Sequence, residues 1–312
     1  MLGVVGRNQV ALLGKAPCQG DFIRWNAADA VSQAFHRWLE ESHEAVRRAN
    51  TQLPSEPTCF VFTMPGGRQA LVGTLATSTD KVGRVFPLAV YVAVDAAGAA
   101  EQFPSIPDSF RAFFAAGARL LADAATLSAS ELESRVEALS AVSSADTMGA
   151  SAQRRRLESS PAGPLVQRLQ GEGAAPGVAY YAFNTFLKAC QAERGKEPAK
   201  PGVTLECPFP EALGPFCWAE LAKRQLGWRS MPPAMFWHLG PSPRLLLSIG
   251  TPGVALLMHL AKPEHSSMKV WPLLTRQQSA IDSAQKALTP ARRQALEDPT
   301  TPVESLLAAF GT

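Results

Sequence analysis

The sequence lacks a strong charge bias: 30 Lys and Arg stand against 27 Asp and Glu, a formal net charge of +3 over 312 residues. The longest block of like charge is Arg154-Arg155-Arg156, so neither a nucleic-acid groove nor a polybasic membrane anchor is expected. Long apolar runs are also missing. The best candidate, Leu245 to Leu260, is interrupted by Gly250, Pro252 and Gly253 and falls short of the ~18 uninterrupted apolar residues that span a bilayer. No membrane span is expected. Met1 to Arg7 has no basic region followed by an apolar core, so no signal peptide is read there. Cysteine is sparse and unpaired in pattern: Cys18, Cys59, Cys190, Cys207 and Cys217 form neither a disulfide framework nor a CxxC knuckle. That usage fits a reducing compartment.

What is present is a chain with 46% apolar residues, enough for a substantial core. Residues 27–50 carry Val31, Ala34, Phe35, Trp38 and Leu39 at three- and four-residue spacing, with Arg37, Glu40, Glu41, Glu44 and Arg47 largely opposite. This is the pattern of an amphipathic helix lying on a sheet. Cys59–Thr63, Ala70–Leu75 and Phe86–Val94 read as strands, and their short connections favour antiparallel neighbours. Helical spacing returns at Phe110–Leu121, Ser130–Val142 and Val178–Ala192. Later, Val203–Cys207, Met235–Leu239 and Arg244–Ile249 read as strands, the last two as a hairpin around Gly240 to Pro243, and Phe209–Leu226 as a helix. Gly253–Leu260, Arg276–Leu288 and Pro302–Phe310 are helix candidates, and Lys269–Leu274 a further strand. The expected class is α/β, a mainly antiparallel sheet flanked by helices. Three segments are expected: residues 1–143 as a sheet-and-helix half, 144–177 as a small-residue linker or insertion with a short exposed helix read over Ala152–Leu169, and 178–312 as a second α/β half packing on the first.

Two charged bends stand out. Gly14-Lys15-Ala16-Pro17-Cys18-Gln19-Gly20-Asp21-Phe22-Ile23-Arg24 follows an apolar run, and Ser78-Thr79-Asp80-Lys81-Val82-Gly83-Arg84-Val85-Phe86-Pro87-Leu88 leads into another. Together with the tryptophan-bearing helix between them, they resemble the TagF family, also called ImpM, accessory proteins of bacterial type VI secretion systems. Pro233-Ala234-Met235-Phe236-Trp237 and Leu245 to Gly250 resemble that family's later aromatic strand and its neighbour. The resemblance implies a longin-like N-terminal half. It further implies a cytoplasmic, non-enzymatic regulator that restrains type VI secretion after translation by binding a protein of that pathway, a forkhead-associated scaffold being the family's known partner. The chain departs from the family at Cys18-Gln19, where Ser or Ala followed by Arg is common.

The residues themselves offer other chemistry, and most of it fails on inspection. Gly14-Lys15 superficially matches a Walker A element, yet Gln9 stands where a glycine is needed and Ala16 where Ser or Thr must reach Mg²⁺. Cys18, with His36 or His43 as base, could serve a cysteine hydrolase or transferase, but no orienting Asn or Asp is signposted. A structural subunit of the secretion apparatus is a third reading. His43-Glu44 has no second histidine at zincin spacing, so no metal site is read, and nothing gives a basis for a cofactor. Trp218, Trp228, Phe236, Trp237 and Trp271 are expected to fill core rather than line a pocket. The remaining candidates are Lys15, Asp21, Arg24, Asp80, Lys81 and Arg84. Asp21 or Asp80 could pair with Arg84 or Arg24 and lock the two bends together, or the six charges could form a partner-binding rim.

Overall fold

Apolar runs without polar alternation belong to strands covered on both faces, and that is how the sheet is built. The computed structural model describes residues 9–146, 148–170, 177–196, 202–238, 242–265 and 267–311. Its strands are β1 (Ala11–Gly14), β2 (Ile23–Trp25), β3 (Thr58–Thr63), β4 (Gln69–Ala76), β5 (Leu88–Asp95), β6 (Thr204–Pro208), β7 (Ala234–His238), β8 (Arg244–Ser248) and β9 (Val270–Pro272). They form one sheet in the order β2-β1-β5-β4-β3-β7-β8-β6-β9. All pairings are antiparallel except the parallel β6–β9 pair at one edge. The β3–β7 pair, with Phe60 opposite Phe236, stitches the strands of the first half to those of the second.

The helices are α1 (Ala30–Arg48), α2 (Ala96–Glu101), α3 (Ile106–Ser109), α4 (Arg111–Asp123), α5 (Ala129–Ala138), α6 (Gly149–Ser159), α7 (Gly163–Leu169) and α8 (Val178–Ala192). They continue with α9 (Phe216–Leu226), α10 (Ala255–Ala261), α11 (Gln278–Ala287), α12 (Pro290–Glu297) and α13 (Val303–Phe310). Alternate residues of each strand serve opposite layers. Leu13, Phe60, Leu71, Tyr91, Phe236 and Leu246 face α1 and α10, while Leu12, Val61, Val72, Val90, Trp237 and Leu245 join the core under the other helices. On the first face Phe35 of α1 stacks on Phe60 at 4.8 Å between ring centres and meets Phe62 at 5.1 Å. Asp29 caps α1 by accepting from the Ser32 amide at 2.8 Å. Arg47 and Arg48 at its other end bond Glu44 and complement the helix dipole. On the second face Gly117 lets α4 approach the sheet closely, since a Cβ there would lie 2.6 Å from Thr74 Oγ1.

Three expectations need correction. Residues 144–177, read as a linker or insertion with one short exposed helix over Ala152–Leu169, carry two helices, α6 and α7, and Leu157, Leu165 and Leu169 are buried in the core. Their small-residue surroundings hide a sparse apolar stripe. The helix expected over Phe209–Leu226 begins at Phe216, because Pro210 and Pro215 flank a turn at Glu211–Leu213. No strand is read at Ile23–Trp25, yet β2 forms there, three residues long and with no apolar run of its own. The terminal helix docks: Phe310 is fully buried against Phe183, and its carbonyl accepts from the Gln225 side chain. Four of the five aromatics expected in the core are there or against it, while Trp271 on edge strand β9 is exposed. The turn from Gly240 to Pro243 lies in part outside the described residues.

Candidate functional site

Strand pairing decides that the two bends meet. β1 and β5 run antiparallel with Gly14 opposite Leu88, so the loop leaving β1 and the turn entering β5 emerge at the same end of the sheet. Gly14 has φ 129°, and a Cβ at that position would lie 2.0 Å from the Pro87 carbonyl oxygen. Only glycine permits this approach. The second bend closes on itself through the Thr79–Val85 bridge and the Gly83 amide donating to the Asp80 carbonyl at 2.9 Å.

Asp80 is the hub, and its side chain is sealed from solvent. Oδ1 accepts from the amides of Val82 at 3.1 Å and Arg84 at 2.9 Å. Oδ2 accepts from Arg84 Nε at 2.6 Å and lies 3.1 Å from Lys15 Nζ in the first bend. Burial by itself would push the Asp80 carboxyl up, but the donors of Arg84, Lys15 and Val82 outweigh it and hold the carboxyl far below the usual carboxylate range. Two further bonds cross between the bends: Arg84 donates to the Gly20 carbonyl at 2.7 Å, and the Lys81 amide donates to the Gln19 carbonyl at 2.8 Å. Carboxylate, guanidinium and ammonium thus lock residues 15, 19 and 20 to residues 80, 81 and 84.

Aromatic packing fastens the same unit to α1. Phe22 meets Phe86 at 5.2 Å and His36 at 4.8 Å, and His43 meets the other side of Phe86 at 5.1 Å. Burial lowers the affinity of both histidines for a proton. At His36 neighbouring Glu40 opposes that and Arg24 adds to it; at His43 Glu44 opposes and Arg47 and Lys15 add. At ordinary pH they therefore act as neutral rings against the phenylalanines.

The six charges expected from the sequence are gathered here in two layers. Lys15, Asp80 and the inner part of Arg84 form the lock, whereas Asp21, Arg24 and Lys81 are exposed. Of the expected pairings of Asp21 or Asp80 with Arg84 or Arg24, Asp80–Arg84 is present, and the cross-pairs Asp21–Arg84 and Asp80–Arg24 are not among the ion pairs of the described residues. Asp80 takes Lys15 from the first bend and Arg84 from its own turn, while Arg24 lies over the Phe22 ring at 5.1 Å. Sequence reasoning missed the contributions of Phe22, Phe86 and Val82. Val82 is 71% exposed at the tip of the turn, and Val85 beside it is 40% exposed. The signal available was their place inside both motifs. Cys18 is partly buried and packs against the core on the second sheet face, and among the described residues it has no hydrogen bond to a histidine. Among the described residues no group of three His, Cys, Asp or Glu is placed to hold a metal ion, and no helix is long and apolar enough to cross a membrane.

Residues 11–139 match the family model of the TagF N-terminal domain, type VI secretion system-associated. The matched segment is less than half of the chain. The match contains β1 to β5 and both bends, and it supports an accessory role in type VI secretion. No curated protein matches the chain. Among solved structures, PA0076 from Pseudomonas aeruginosa PAO1 aligns with a TM-score of 0.47 at 16% identity, over 84% of this chain and 98% of that one.

Proposed function

We propose that this TagF-domain chain is a non-enzymatic, protein-binding regulator that restrains type VI secretion after translation, and that the joined bends are the face with which it binds. The observation that carries the reading is the buried Asp80 lock, which fixes two loops 64 residues apart in sequence, through the Arg84–Gly20 bond, into one surface with exposed cations and an exposed valine. A rigidly based loop pair loses little conformational freedom on association, so its contacts convert efficiently into affinity. Charges on such a rim set specificity and encounter rate. The action is in the bacterial cytoplasm, and the partner is a protein of the secretion pathway, a forkhead-associated scaffold being the first to test.

Affinity capture from the native host, followed by identification of the bound proteins, tests this directly. Recovery of a secretion-pathway protein by the wild-type chain, and its loss on Asp80→Ala, is the expected result. Recovery of none from the pathway contradicts the reading. Cys18→Ala is the companion variant. Binding and secretion control survive it if Cys18 only packs, and fail if it performs a chemical step. Substoichiometric presence in the purified apparatus separates a regulator from a structural subunit.

A further inference from the structure

The lock consumes its charges unequally. Asp80 is one buried carboxylate shared by two cations, Lys15 and Arg84, and the Arg84 side chain remains 61% exposed while paired. Arg24 and Lys81 add two exposed cations, and Asp21 is the one carboxylate of the six residues that faces solvent. Four cations against two carboxylates leave the face net positive, and the two histidines behind it stay neutral because burial disfavours their protonation. Glu40 stands 3.4 Å from His36 on α1, behind the bends, and Glu44 is engaged by Arg47 and Arg48. The tip between Lys81 and Arg84 is apolar: Val82 projects into solvent on a turn of fixed geometry. Its amide is already bonded to Asp80, so burying the side chain orders no backbone.

We infer that the partner presents an acidic protein surface with a small apolar recess, that Arg24, Lys81 and Arg84 meet its carboxylates, and that Val82 enters the recess. The inference rests on the proposed binding role of this face and names the chemistry of what it binds. Lys15 and Asp80 are positioning residues beneath the contact; Lys81 and Val82 make it. The opposite edge of the sheet, at β9, also exposes Met268 and Trp271 with Lys269 between them, but it lies at the far end of the strand order from the joined bends.

The probe is a short fluorescent peptide of Asp and Glu around one central Leu, titrated with the full chain and followed by anisotropy. Saturable binding at low ionic strength is expected, weakened about tenfold by Lys81→Glu and about threefold by Val82→Ser, with both variants retaining the wild-type circular dichroism spectrum. The side chains of both residues are exposed, so neither change enters the core. Equal affinity of wild type and variants, no saturable binding, or a preference for the Lys counterpart of the peptide overturns the inference. Binding to phosphatidylglycerol vesicles in place of the peptide overturns it as well, because the cations would then serve a lipid surface. If host capture of a secretion protein persists undiminished in Lys81→Glu and Val82→Ser, this partner chemistry fails while the binding role stands; if no secretion protein is captured, the role itself fails.

Discussion

Asp80 and Glu206 both sit under cover beside basic side chains, and they are held differently. Asp80 has each oxygen paired at short range, by two amides on one side and by Arg84 and Lys15 on the other. Glu206 on β6 has Arg244 Nη1 at 3.3 Å and lies 3.0 Å from His259 Nε2, while among the described residues Arg244 Nε and both ring nitrogens of His259 are buried without a well-formed hydrogen bond. The first group ties together two loops that, past the β1–β5 pair, no strand ladder joins to each other. The second lies among strands and a helix whose hydrogen bonds and apolar packing fix their positions with or without it. A polar cluster matters most where the backbone has least else to hold it.

Substitutions can break that contrast. Asp80→Ala is expected to have the largest effect: it strips four accepted contacts and leaves the half-covered Lys15 without its counter-charge. Hydrogen exchange in residues 14–24 and 78–88 should rise together, with a melting temperature several degrees lower. Gly14→Ala comes next, at about 2 kcal/mol or more by denaturant titration, because the new Cβ meets the Pro87 carbonyl at a φ that alanine rarely adopts. Glu206→Gln should cost about 1–2 kcal/mol and leave exchange in the two bends unchanged. If it loosens the bends as Asp80→Ala does, the distinction between the two clusters is wrong.

Acidity sharpens the same comparison with smaller effects. The folded carboxyl of Asp80 titrates below the unfolded value near 3.8, so its stabilisation is present above that pH and is lost only as pH falls through the depressed folded value. Exchange in the bends should therefore stay slow through pH 4. The histidines have the opposite chemistry and the same sign of slope. Their folded proton affinity lies below the ordinary histidine value of 6.5, the unfolded chain binds protons first, and stability falls as pH drops below about 6.5. Replacing His36 and His43 together by Gln should flatten the dependence of melting temperature on pH between about 7 and 5. Lys81→Glu is expected to change stability least, since its side chain is exposed and its bond to Gln19 is made by the backbone.

Much of the sheet was legible because periodicity and buried runs carry direct physical meaning. Phe35, Trp38 and Leu39 mark the covered face of α1, and Val178–Ala192 is helical over the residues its spacing indicates. Other elements had weaker signals. β2 is three residues long, and its pairing with β1 is a tertiary fact. α12 was missed although Thr289 caps it and Pro290 opens it, because its buried face is little more than Leu296. A helix over Ala152–Leu169 was readable, but its break into α6 and α7 and the burial of Leu157, Leu165 and Leu169 were obscured by the Ser, Ala and Gly around them. At the site, the types and positions of the charged residues were readable, but their pairing was not. Asp80 chooses Lys15 and Arg84 because the β1–β5 register and the Gly83 turn bring those atoms within reach, and neither is encoded in local spacing.

The most direct measurement is a hydrogen-exchange footprint of the wild-type chain bound to the secretion-pathway protein it captures. Simultaneous protection of residues 14–24 and 78–88, absent in an Asp80→Ala chain at the same concentration, is expected. Protection confined to another surface, such as the β9 edge around Trp271, with the two bends exchanging as in the free protein, would contradict the proposal that the Asp80-locked face is what binds.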